Sequence, residues 1–141
     1  MNLPALPPEI DERREAARIL LARRRARSNL LDFMRHVWWM PEPFTVGRHT
    51  RKICERLDKA VADYLEGRST FLNIGVPFRH GKSDIVSRAF PAYFLGRLAD
   101  HEPSIILTGY GAKLVEGFGS DAKRIINGDA YLELLPSVHL S

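Results

Sequence analysis

The run Arg79-His80-Gly81-Lys82-Ser83 gathers two cations, an imidazole, a glycine and a hydroxyl within five positions. That set suits a phosphate. Backbone N–H groups can turn toward the anion, glycine removes the Cβ that would obstruct it, lysine reaches the β and γ phosphates, and a serine hydroxyl ligates magnesium. The strict spacing G-x-x-x-x-G-K-[ST] asks for glycine at position 76. That position is Val76, and Gly75 lies one residue too early. Two readings follow from the residues themselves: a phosphate loop of degenerate spacing, or the basic start of a helix. The flanking pattern favours the first, because an apolar run precedes the loop and a helix leaves from Lys82, adding the partial positive charge of its N-terminus.

The elements expected to position this loop can be read by periodicity. Residues 1–9 hold three prolines and read as an extended lead-in. Ile10–Arg27 is rich in Ala, Leu, Arg and Glu and reads as a helix. A second helix starts with Ser28 or Asn29 as N-cap and ends before Pro41 and Pro43, leaving Phe33, Trp38, Trp39 and Phe44 as core aromatics. Ile53, Leu57, Val61 and Leu65 recur at four-residue steps and define a third helix that Gly67 stops. Phe71–Val76 and "SIILTGY" are too short for helices and have the composition of buried strands. Between them a helix runs from Lys82 to Phe90, kinked or ended by Pro91. After them Leu114, Val115, Phe118, Ala122, Ile125 and Ile126 mark a last helix, with Gly128 as C-cap. Helix, strand, helix, strand, helix predicts an α/β fold: a parallel sheet sandwiched by helices, incomplete with two strands, and preceded by N-terminal helices.

A chain of 141 residues accommodates one domain. No apolar run approaches the roughly 20 residues of a membrane span, and no secretory signal is visible, so the expectation is a soluble intracellular protein without membrane contact. Cys54 is the only cysteine and, beside Ile53 and Leu57, reads as a buried inert thiol. The five histidines lack ligand spacing, which argues against a histidine metal site. The net charge of +4 is uneven. Residues 1–70 carry 14 Lys/Arg against 10 Asp/Glu, and residues 71–141 carry 7 of each. The excess concentrates around Arg13, Arg14, Arg18, Arg23, Arg24, Arg25 and Arg27, a stripe that could meet phosphate backbones, solvent or an acidic partner protein.

The stretch "PFRHGKSDIVSRAFPAYFLGR", Pro77 to Arg97, resembles the large subunit of the tailed-phage terminase, the ATP-driven motor and nuclease that packages viral DNA. One branch of that family carries P-P-R-H-G-K-S, then an acidic residue, an apolar-Val-Ser step and F-P-A with an aromatic-Leu-Gly ending. Phe78 departs from the usual second proline. The likeness extends over roughly residues 30–141, through "EPFTVGRHTRKICERLDKAV" and "IILTGYGAKLVEGFGSDAKRII".

The resemblance implies a P-loop ATPase part over residues 31–141, with 1–30 as lead-in and arginine-rich helix. It implies ATP and Mg2+ as cofactors, held by Pro77, Phe78, Arg79, His80, Gly81, Lys82 and Ser83. Lys82 and Arg79 would act on the transferring phosphate, Ser83 on magnesium through ATP, and Phe44 and His49 on the adenine. Implied partners are double-stranded DNA, the portal protein, the small terminase subunit and copies of the chain in a ring. The implied location is the host bacterial cytoplasm, transiently at the procapsid portal. No apolar run after Ser83 ends in the Asp-Glu pair that organises magnesium and polarises water. The Walker B strand and nuclease domain are therefore expected beyond Ser141, in a truncated or split product not active alone. The alternatives are a non-catalytic DNA- or partner-binding fragment and part of another P-loop ATPase such as a helicase, although the latter does not fit F-P-A.

Overall fold

The computed structural model describes residues 8–136 and 138, so part of the proline-containing lead-in and the last residues lie outside the described residues. Six α-helices follow one another: α1 Pro8–Ala26, α2 Leu30–Val37, α3 Arg48–Leu65, α4 Phe90–Arg97, α5 Ala112–Ile126 and α6 Asp129–Leu134. A π-helical stretch, Asp84–Ala89, runs directly into α4, and a 3-10 turn spans Ala99–His101.

The expected parallel sheet does not form: no strand occurs among the described residues, and the fold is all-helical. Phe71–Val76 and Ser104–Tyr110 adopt no regular structure, and neither run makes a backbone–backbone hydrogen bond among the described residues. Phe71 is 95% exposed and Tyr110 98%. The physical reason lies in what a strand requires. An apolar run of strand length becomes a strand only against a hydrogen-bonding partner, and a parallel strand must also be covered on both faces. Here the helices bury their apolar faces against one another and leave neither run a partner.

The core is organised around α2. Leu30, Phe33, Met34 and Val37 fall at i, i+3, i+4 and i+7 and are all buried. Asn29 caps this helix by accepting from the Asp32 N–H at 2.9 Å, as its residue type predicts. The Asp58 carboxylate of α3 accepts the Leu30 N–H at 3.1 Å and the Tyr93 hydroxyl of α4 at 2.8 Å. It thereby ties three helices at one polar point. Burial raises the Asp58 pKa, opposed by those two hydrogen bonds and by Arg97. The Phe33 ring lies 5.2 Å from that of Tyr93 and 5.9 Å, nearly edge-on, from that of Tyr131. Tyr131 in turn donates to the Ala92 carbonyl at 3.0 Å. A Cβ at Gly96 would overlap the Tyr131 hydroxyl, so glycine is what lets α4 and α6 approach.

In α3 the residues Ile53, Cys54, Leu57 and Val61 are buried as their spacing predicts, whereas Leu65, expected on the same stripe, is half exposed. Burial pushes the Cys54 thiol up to about 12, with the nearby Asp58 and Glu55 charges adding to the effect, which makes it the inert thiol expected. Pro91 neither ends nor breaks its helix. The Phe90 N–H reaches back five residues to the Ile85 carbonyl, and the chain passes the proline by widening to π register in the turn before it. No helix among the described residues is long and apolar enough to cross a membrane.

Candidate phosphate site

The loop before the π stretch has an unusual backbone. Arg79 adopts φ 63° and Gly81 φ 72°, both in the left-handed region. For Gly81 this is the conformation that glycine permits, whereas for Arg79 it is strained and must be held by its surroundings. Two histidines hold it. The His80 Nδ1–H donates to the Phe78 carbonyl at 2.9 Å, closing the loop on itself. The His49 Nε2–H, from the first turn of α3, donates to the His80 carbonyl at 3.1 Å, and the two rings meet edge-on at 5.3 Å. Gly47 makes the His49 position possible, since a Cβ there would press on the imidazole at 2.7 Å.

This geometry leaves donors without a partner among the described residues. The Ile85 N–H bonds to the Gly81 carbonyl, so helical bonding starts there, while the N–H groups of residues 79–84 meet no backbone carbonyl and no side-chain acceptor among the described residues. Lys82 is exposed and enters no ion pair among the described residues, and Ser83 is half-buried beside it in helical conformation. Free N–H groups at a helix start, two cations and a hydroxyl form a donor set that fits a phosphate. Nothing lies within 4 Å of the point where a Gly81 Cβ would stand. A cavity of about 610 Å³ extends over this surface from Phe78 to Arg88.

A second cavity, of about 340 Å³, also borders the loop and is lined by Trp38, Phe44, His49, Thr50, His80 and Ile85. Phe44 is half-buried and tilts against Trp38 at 4.5 Å. The structure therefore brings Phe44 and His49 to the loop from sequence distances of more than thirty residues. Pro77 and Phe78 are exposed, and Phe78, the departure from the terminase pattern, is 88% exposed with the Arg79 guanidinium 5.7 Å from its ring.

Arg88 was not singled out by the sequence reading. It bonds Asp84 at 2.9 Å within its own helical stretch and Asp121 of α5 at 2.6 Å, and it lies 4.8 Å from the Phe118 ring. The only signal for it was the i, i+4 spacing from Asp84, which is common on helices. The consequence is chemical. The two carboxylates on this side of the loop, Asp84 and Asp121, are both held by arginine, with Arg124 also 3.0 Å from Asp121. No group of three His, Cys, Asp or Glu among the described residues is placed to hold a metal ion directly. Against protein-family models, curated proteins and solved structures, the chain matches none.

Proposed function

We propose that the chain is a nucleotide-binding segment of a DNA-packaging motor of the terminase large-subunit type, with ATP as the nucleotide. The observation that carries the proposal is the left-handed Arg79 and Gly81 pair leading straight into a helix, whose first N–H groups and Lys82 have no partner among the described residues. Alternating backbone conformations of this kind make anion concavities. Lys82 holds the β and γ phosphate oxygens, the Ser83 hydroxyl ligates magnesium carried in with ATP, and Arg79 offsets charge on the terminal phosphate. His80 acts through the backbone it fixes. Phe44, with Trp38 behind it, and His49 border a cavity suited to a flat base. ATP supplies the phosphoryl group and magnesium its charge neutralisation; the residues of this chain bind and orient.

Double-stranded DNA, a portal protein, a small subunit and neighbouring copies in a ring belong to the same proposal, as does a location in the host bacterial cytoplasm, transiently at the procapsid portal. A second reading, a non-catalytic binding fragment, is favoured by one observation: the run before the loop is not a strand, so the loop lacks the sheet edge that usually supports it. Isothermal titration with Mg·ATP separates the two. Binding that Lys82→Ala weakens by about 100-fold or more, roughly 2.7 kcal/mol, with circular dichroism unchanged, supports the nucleotide reading. Equal affinity in the variant assigns the chain to the second.

A further inference from the structure

α1 is attached to the rest of the protein only at its C-terminal end. Ala26 is its one buried residue, Arg23 bonds Glu133 at 2.9 Å, and the Arg27 Nε–H donates to the Leu134 carbonyl at 2.8 Å. Residues 8–22 are exposed throughout, so four turns of helix stand clear of the body. At about 100° per residue, Ile10, Ala17 and Leu21 share one line on this helix, within roughly 40° of each other and nearly opposite Ala26. Arg13 and Arg24 flank that line on one side, Arg14, Arg18 and Arg25 on the other. The carboxylates Glu9, Asp11, Glu12 and Glu15 fall on the remaining half. Arg18 approaches Glu15 only at 3.6 Å, with both side chains mostly exposed. The outward face therefore carries two rows of arginine along about 18 Å of helix, with a narrow apolar line between them and the exposed Leu20 bordering the Arg13–Arg24 row.

We infer that α1 is a duplex-DNA contact that lies in the major groove, its two arginine rows on the phosphates of the two strands and Ile10, Ala17 and Leu21 toward the base edges. A helix about 10–12 Å across fits a groove about 12 Å wide. Guanidinium forks match phosphate oxygens. Five arginines against three large apolar side chains, Ile10, Leu20 and Leu21, make the face too charged for the helix-in-groove docking by which proteins take up amphipathic helices. The inference deepens the motor reading by giving its polymer a point of contact. It rests on that reading only for the choice of DNA as the polyanion, and it is tested without nucleotide, so that its failure leaves the phosphate site untouched.

The experiment is fluorescence anisotropy of the full chain with a 20-bp DNA duplex over a salt series, beside a double-stranded RNA of the same sequence and polyglutamate. The variant replaces Arg13, Arg14, Arg18, Arg24 and Arg25 with glutamine, a comparable helix former, with helicity checked by circular dichroism. The expected result is DNA binding at least about tenfold tighter than RNA, whose major groove is too narrow for a helix. The variant's salt slope is expected to be shallower by up to about 4.5, at roughly 0.9 per phosphate lost, while Lys113→Gln with Lys123→Gln on α5 leaves the slope unchanged. Equal binding to DNA and RNA, a slope the variant does not change, or binding to polyglutamate without binding to the duplex would each overturn the assignment, the last in favour of an acidic protein partner.

Discussion

Gly81 separates the two readings of the loop at the level of a single residue. Its φ of 72° suits glycine, and a Cβ placed there meets nothing within 4 Å. Gly81→Ala therefore acts through backbone strain and not through overlap, at a cost of about 1–2 kcal/mol. The helices away from the loop should keep their stability, while the loop relaxes out of the left-handed conformation and loses its cluster of unpartnered N–H groups. Thermal unfolding should shift modestly, and Mg·ATP affinity should fall by tenfold or more. Unchanged affinity alongside a stability loss would mean that the loop's shape does not matter to the nucleotide. The residues of this loop were legible in the sequence because their chemistry is local. Arg88 was not, since its significance comes from Asp121, a partner 33 positions away on another helix.

At the scale of elements, the amphipathic helices were the legible part. α2 and α3 follow their apolar spacing because each carries its own hydrogen bonds and needs only one face covered. The two apolar runs were misread because a strand's hydrogen bonds lie in another segment, and composition does not reveal whether that segment is present. The turn leaving α3 illustrates a local device that periodicity also misses. Asp63 accepts from Arg68, Lys59 and Thr70, and the Arg68 N–H returns to the Asp63 carbonyl at 2.8 Å. Arg68, then Lys59, hold the Asp63 pKa down from 3.8 to about 2. A depressed carboxylate contributes stability that is present above its unfolded pKa and lost as pH falls through the folded value. The turn should therefore loosen between about pH 4 and pH 2. The protection of the Arg68 amide, its exchange measured against the intrinsic rate at each pH, should fall over that window, and in Asp63→Asn that protection should not change with pH. Protection at Arg68 that stays constant with pH in the unsubstituted chain would remove Asp63 from this role.

For the whole molecule, the expectation is binding without turnover. Phosphoryl transfer requires charge neutralisation together with an oriented water. In the proposed site Arg79, Lys82 and Ser83 would address the first requirement. The carboxylates beside the loop, Asp84 and Asp121, are held by Arg88 and are poorly placed to orient a water. Phosphate release from Mg·ATP by the 141-residue chain should equal that of Lys82→Ala. Turnover that disappears in the variant would show that a catalytic carboxylate is present within the chain.

If the N–H groups of residues 79–84 cradle phosphate, amide hydrogen exchange with and without Mg·ATP reads those groups directly. Saturating Mg·ATP should slow exchange across Arg79 to Asp84 in the unsubstituted chain, leave α6 unaffected, and have no such effect in Lys82→Ala. Exchange in that segment that nucleotide does not change, or protection confined to other helices, would contradict the assignment of this loop as a phosphate site.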